Sequence, residues 1–251
     1  MPSPARLQLM AHLVAGDPDL ESSRSLILEL DRCGVEWIEI QIPFSDPLAD
    51  GPTILSANHR ALAAGTRPGD CLDLIAGLRG SVQARLVLMT YANIAWSMGL
   101  ARFAAAAAAA GAAALIVPDL PVDEEGGRFS GLCRERGLAL VPVLSAGMRR
   151  ERLRRVLRPA GLFAYLTLRV GVTGARRGLD GRSLAFIDSV KSETALPLAA
   201  GFGISTPGHL ERLRGRVQIA VVGSRLIDLR QSGGLPAVVR FIRRCRRSAR
   251  G

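Results

Sequence analysis

Val35-Glu36-Trp37-Ile38-Glu39-Ile40-Gln41-Ile42, followed at once by Pro43-Phe44-Ser45-Asp46-Pro47-Leu48-Ala49-Asp50-Gly51-Pro52, is the stretch on which the reading of this chain turns. The first eight residues alternate with a period of two, as an extended strand does. Ile38, Ile40 and Ile42 share one face, Glu39 and Gln41 the other. The segment after them holds three prolines and a glycine, and Asp50-Gly51-Pro52-Thr53 has the form of a helix start. A strand, a rigid loop and a helix therefore follow one another.

The same alternation runs from end to end. Further strand-like runs are Leu9–Ala15, Arg85–Thr90, Ala113–Val117, Leu138–Leu144, Leu162–Leu168, Leu196–Ala200 and Gln218–Val222. Helical patterns lie at Leu20–Cys33, Pro52–Ala64, Met98–Ala110, Glu124–Arg136, Arg149–Leu157, Arg182–Ser192, Thr206–Leu213 and Leu235–Arg247. Eight β/α units in 251 residues predict an α/β fold, a single (β/α)8 TIM barrel. A doubly wound open sheet is the alternative. It usually carries GxGxxG after its first strand, where this chain has Ala15-Gly16-Asp17-Pro18. No linker or break in composition divides the chain, so residues 1–251 read as one domain.

In a closed barrel the outer strand face packs on helices and is apolar. The isoleucines then face outward, and Glu39 and Gln41 point in. A carboxylate turned into an interior is costly unless it is paired or protonated. A carboxyl group in such a place is suited to proton transfer. The competing reading is a glutamate satisfied by an arginine across the barrel. Loops that follow barrel strands build the active site and commonly run to about 2–6 residues. The Pro43–Pro52 loop is longer and adds Asp46 and Asp50, so it either supplies a second catalytic carboxylate or is an ordinary capping turn. Three glycine-bearing turns close the last strands: Gly171-Val172-Thr173-Gly174, Gly201-Phe202-Gly203-Ile204-Ser205 and Val222-Gly223-Ser224. Their number and place match a barrel phosphate cradle, in which backbone N–H groups approach the anion. Turn-making alone is the plainer reading.

Composition excludes more than it assigns. No apolar run approaches the roughly 20 residues that span a bilayer, and the first residues form no signal peptide, so a cytoplasmic location is expected and no membrane partner. Cys33, Cys71, Cys133 and Cys245 form no CxxC, and His12, His59 and His209 are scattered, so buried idle thiols and no metal site are expected. The net charge of +11 is almost all arginine, with a run from Arg240 to Arg250. Aromatic residues make up only 4% of the chain, too few for base-stacking platforms, so no nucleic-acid partner is expected. An attraction for anionic substrates is the simpler consequence of the charge.

Taken together and in order, these motifs resemble the tryptophan synthase α subunit family. The likeness rests on Gly16-Asp17-Pro18, on 43–53, and on Met89-Thr90-Tyr91-Ala92-Asn93. It continues through Val117-Pro118-Asp119-Leu120-Pro121, Gly171–Ala175, Gly201–Ser205 and Gly223-Ser224. The resemblance implies a cofactor-free retro-aldol cleavage of indole-3-glycerol phosphate to indole and glyceraldehyde 3-phosphate. It further implies Glu39 as acid and base, and Asp50 as the acceptor for the indole N–H. Tyr165, Thr173, Tyr91 and Gln41 would line the substrate pocket. Gly174, Gly203, Gly223 and Ser224 would hold the phosphate, and the Pro43–Pro52 loop would meet a tryptophan synthase β subunit.

The chain departs from the family at several places. Gln41 stands where glycine is usual, His12 where an apolar aromatic is common, and Leu55 where glutamine is usual. Leu144-Ser145-Ala146-Gly147-Met148 replaces a proline-containing turn, and the short lead before the first strand predicts the loss of an N-terminal helix over the barrel floor. Three readings follow: an α subunit working with a β subunit, a free-standing lyase that releases indole, or a catalytically poor regulatory relative. The retained loop favours the first and the pocket changes favour the second. Intact Glu39 and Asp50 speak against the third.

Overall fold

The computed structural model describes residues 6–120, 122–123, 126–158, 161–167, 180–201 and 203–250. Among them nine strands run parallel: β1 (Gln8–Val14), β2 (Trp37–Gln41), β3 (Arg85–Met89), β4 (Ala114–Ile116), β5 (Ala139–Val141), β6 (Val143–Ser145), β7 (Ala164–Thr167), β8 (Leu198–Gly201) and β9 (Ile219–Val222). Their order is β5-β4-β3-β2-β1-β9-β8-β7-β6, with β1 paired to both β2 and β9.

The two edges of this sheet are consecutive in the chain, separated only by Pro142. Proline has no N–H to give a ladder. Its carbonyl still accepts from Tyr165 N at 2.9 Å, so the sheet continues across the gap. The predicted strand Leu138–Leu144 is thus one barrel strand cut in two by a proline, and the sheet closes as an eight-position (β/α)8 barrel.

Strand alternation sorts the core into two layers. Leu9, Ala11, Leu13, Ile38, Ile40, Leu86 and Leu88 point outward into one cluster shared with the helices. Met10, Trp37, Val87, Ile116, Val141, Phe163, Ala199 and Val221 fill the barrel. Trp37 and Phe163 meet there edge to face, with ring centroids 5.3 Å apart.

The helices are α1 (Leu20–Arg32), α2 (Pro52–Ala63), α3 (Pro68–Ala76), α4 (Ala92–Met98), α5 (Leu100–Ala110), α6 (Gly126–Arg134), α7 (Arg150–Leu157), α8 (Gly181–Lys191), α9 (Pro207–Leu213) and α10 (Ser224–Arg250). Three of them correct the sequence reading. The helix predicted over Met98–Ala110 begins instead at Leu100, because Gly99 sits at φ 83 and separates α4 from α5. The short α3 has no counterpart among the predicted helices; Pro68 starts it and Arg67 N donates to Asp70 Oδ2 at 2.8 Å. The last helix begins at Ser224, eleven residues before the expected start, and is broken by Gly234 at φ 63 ahead of Pro236.

Local sequence explains the rest. Asp19 caps α1 by accepting from Ser22 N at 2.6 Å. In the alanine-rich α5, Phe103, Ala104, Ala107 and Ala110 are the buried stripe, the spacing of one helix face. Gly16-Asp17-Pro18 proves to be a fastening. Arg60 of α2 grips the Asp17 carboxylate through two bonds of 2.7 and 2.9 Å, and Arg230 of α10 donates to the Asp17 carbonyl at 2.9 Å. Part of the arginine excess forms ion pairs on outer helices, as where Arg150 and Arg154 meet Glu193. No helix among the described residues is long and apolar enough to cross a membrane.

Candidate active site

Glu39 is inward on β2 and fully buried, as the alternation requires. Its register partner on β1 is His12, whose Nδ1 lies 3.2 Å from Glu39 Oε2. The sequence leaves open a proton-transferring carboxyl or a glutamate satisfied by an arginine across the barrel; its neighbour is a histidine, not an arginine. Burial lowers the imidazole pKa, but the charge and hydrogen bonding of Glu39, with the charge of Asp50, outweigh it, and the net shift is upward. Tyr165 reaches Glu39 from β7 with its hydroxyl; burial first, then the charges of Glu39 and Asp50, raise its pKa well above 10.0, so it remains a neutral donor.

Room for Tyr165 is made on the next strand. A Cβ on Gly201 would lie 2.5 Å from the Tyr165 hydroxyl and 2.8 Å from two ring carbons. Gly201 is therefore a clearance for the tyrosine as well as the start of a turn.

Asp50 sits at the end of the loop, half-buried, immediately before the Gly51 cap of α2. Gln41 Nε2 donates to its Oδ2 at 2.7 Å, and Asn58 Nδ2 donates to the same oxygen at 3.1 Å. Gln41 and Asn58 are also joined, Nε2 to Oδ1, at 3.2 Å. Asn58 accepts from Phe44 N at 2.9 Å and donates to Ile54 O at 2.9 Å, so it fastens both ends of the loop. Burial raises the Asp50 pKa, against the lowering pull of Gln41, His12, Tyr91 and Asn58.

Tyr91 lies fully buried beneath the loop. Its ring stacks on Phe44 at 5.1 Å, and its hydroxyl accepts from Ala49 N at 3.2 Å. Asp119 accepts from Ala92 N at 2.9 Å and so fixes the start of α4 beside it.

Gly203, at φ 91, and Gly223 are half-buried, while Ser224 is exposed at the first position of α10. Backbone N–H groups at a helix start suit an anion. A Cβ on Gly223 would come 3.3 Å from His12 Cδ2, so this glycine also makes space for the histidine. Thr173 and Gly174 lie outside the described residues.

Three site residues escaped sequence reasoning. The pairing of His12 with Glu39 was legible only from strand register. Asn58 carried a signal: it falls on the buried stripe Ile54, Ala57, Asn58, Ala61 of α2, where a polar residue needs partners. Gly201 offered none beyond its motif. Among the described residues no cluster of ligating side chains could hold a metal ion. Burial pushes the thiols of Cys71, Cys133 and Cys245 up to about 12, which leaves them unreactive.

A family profile described as "Tryptophan synthase alpha chain" matches residues 2–237. The chain belongs to this family. It is 42% identical over 235 residues to the tryptophan synthase alpha chain of Prochlorococcus marinus (strain MIT 9313), covering 93% of this chain and 85% of that one. The alpha chain of Syntrophotalea carbinolica is 37% identical over 238 residues, 95% of this chain and 94% of its own. Among solved structures, Mycobacterium tuberculosis tryptophan synthase superposes with a TM-score of 0.91 at 29% identity, over 99% of this chain and 94% of that one. An alpha subunit from Pyrococcus furiosus gives 0.88 at 30% identity, over 97% and 99%. Against the residues usual in tryptophan synthase alpha chains, the two inward departures are His12 and Gln41. They are also the side chains that reach Glu39 and Asp50.

Proposed function

We infer that this tryptophan synthase alpha chain, acting as one (β/α)8 domain, cleaves indole-3-glycerol phosphate to indole and glyceraldehyde 3-phosphate in tryptophan biosynthesis. The observation that carries the reading is the convergence of two supported carboxyl groups at one mouth of the barrel, Glu39 beside His12 and Tyr165, and Asp50 beside Gln41 and Asn58.

The reaction breaks the bond between indole C3 and the adjoining glycerol carbon. Glu39 gives a proton to C3, and the ring becomes an electron-poor indolenine with its positive charge at the nitrogen. Asp50 accepts a hydrogen bond from that N–H and stabilises the charge. The Glu39 carboxylate then takes the proton of the hydroxyl on the adjoining carbon. Oxygen closes to a carbonyl, and the electrons of the C–C bond return to the ring and neutralise it. One proton has entered indole and one has come back to Glu39, so no cofactor is required. Tyr165 and Gln41 line the site. Thr173 is proposed to position Asp50, and Gly174, Gly203, Gly223 and Ser224 to hold the phosphate.

The partner proposed for the Pro43–Pro52 loop is a tryptophan synthase β subunit. Leu48 on the loop is 81% exposed and Trp96 on α4 is 50% exposed, apolar surface beside the Tyr91 that carries the loop. A phosphate ester does not cross membranes unaided, so a cytoplasmic site goes with this substrate.

The test is steady-state cleavage of indole-3-glycerol phosphate, with and without a β subunit, by the wild type and Glu39→Gln. General acid–base catalysis contributes roughly 10²–10⁴-fold, so turnover should fall by at least about 10²-fold while substrate still binds. A Glu39→Gln enzyme that keeps most of its rate would remove Glu39 from the reaction.

A further inference from the structure

His12 is more than the neighbour of Glu39. Its Nδ1 faces the carboxylate, and the other side of the ring lies against Gly223, where Cδ2 is the nearest atom to a Cβ built there. Nε2 is bonded to that Cδ2. It is buried and has no hydrogen-bonding partner among the described residues. A buried polar atom left unmade costs about 1–3 kcal/mol. Gly223 immediately precedes α10, so the ring spans from the proton-transferring carboxyl, at Nδ1, to the residue before that helix, at its carbon edge.

We propose that His12 binds the glycerol phosphate arm of the substrate through Nε2 while Nδ1 stays on Glu39. One ring would then join the two ends of the site. This rests on the lyase reading given above and assigns a substrate contact at a position where the family commonly has an apolar aromatic. A ring with both nitrogens protonated donates twice, to Glu39 and to a substrate oxygen. Its charge also steadies the carboxylate that Glu39 becomes after C3 is protonated. Among the described residues the ionisable groups acting on His12 are Glu39 on β2 and Asp50 on the following loop, both acidic. Each favours the charged ring.

The experiment is calorimetric titration of the wild type, His12→Phe and His12→Gln with glycerol 3-phosphate and, separately, with indole. Phenylalanine keeps the ring against Gly223, and glutamine restores a donor without a titrating group. His12→Phe should bind glycerol 3-phosphate at least about tenfold more weakly, the size of a hydrogen bond to a charged group, with indole affinity unchanged. His12→Gln should recover part of the loss. The ratio of wild-type to His12→Gln affinity should shrink as pH climbs from about 6 to about 9, because the ring loses its proton. Taking that ratio cancels the ionisation of the phosphate itself. Equal binding of glycerol 3-phosphate by the wild type and His12→Phe overturns the proposal, as does an equal loss for glycerol 3-phosphate and indole. Failure of the wild type to cleave indole-3-glycerol phosphate is a separate result that sinks the lyase reading, whatever the binding shows.

Discussion

Gln41 Nε2 lies 2.7 Å from Asp50 Oδ2, a bond that runs from the wall of the barrel to the far end of the active-site loop. Gln41 is fully buried, and its amide oxygen has no hydrogen-bonding partner among the described residues. The side chain that the resemblance places in the substrate pocket is turned toward the loop carboxylate.

Reverting Gln41 to glycine should therefore lower kcat. A hydrogen bond to a charged group is worth about 1.5–3 kcal/mol, so a fall of about tenfold or more is expected, with a smaller change in KM. Asn58 still holds Asp50 in that variant, and a second substitution, Asn58→Ala, should deepen the loss. Unchanged kcat and KM in Gln41→Gly would mean that Asp50 is held well enough without it.

Gly201→Ala tests the clearance for Tyr165. The new Cβ would stand 2.5 Å from the tyrosine hydroxyl, so the ring must swing away from Glu39. Overpacking of this kind costs about 1–3 kcal/mol, readable as a lower urea midpoint. Activity should fall too. In a Tyr165→Ala background, itself destabilised by the cavity it leaves, Gly201→Ala should lower the midpoint much less than it does in the wild type, with the rate low throughout. If Gly201→Ala costs as much in the Tyr165→Ala background as in the wild type, the collision lies elsewhere.

The phosphate end needs a probe other than its glycines. Gly203 sits at φ 91, where a side chain strains the backbone, and a Cβ at Gly223 would press on His12. Ser224 is exposed and opens α10, where an acidic residue favours the helix. Ser224→Asp should keep the fold and raise KM for indole-3-glycerol phosphate by about tenfold through charge repulsion. The dephosphorylated substrate should be handled as before. An equal effect on both would move the phosphate away from this helix.

Stability should also report on His12. Its pKa is raised from 6.5, so the folded protein keeps a proton that the unfolded chain releases. The resulting stabilisation is complete below pH 6.5 and is lost as pH rises through the higher folded value. Asp50, raised from 3.8 chiefly by burial, has the same sign but acts in a window that opens at 3.8. The unfolding free energy of wild type minus His12→Phe should accordingly be largest below pH 6.5 and decline above it. A difference that stays flat across neutral and alkaline pH would show that the ring gains no proton affinity on folding.

The barrel was legible because strands of period two and helices of period 3.6 leave different marks. Ile38, Ile40 and Ile42 on one face of β2 were enough to turn Glu39 and Gln41 inward. What the sequence could not show was register. His12 and Glu39 are 27 positions apart, and only the pairing of β1 with β2 makes them neighbours. Asn58 and Asp50 are nearer in the chain, yet their bond depends on how the loop folds back on α2. Breaks such as Gly99 and Pro142 were visible as residues, but whether a glycine or proline ends an element or merely interrupts it depends on the packing around it.

Asp50 belongs to a loop in sequence and to the scaffold in mechanics. Its carboxylate is tied to β2 through Gln41 and to α2 through Asn58, whereas Leu48, two residues earlier, is exposed to solvent. The carboxylate and the exposed side chain are thereby held independently, two residues apart. Replacing residues from Ser45 to Leu48 should therefore change the exposed surface of the loop while the carboxylate two positions further on keeps its aim at the site.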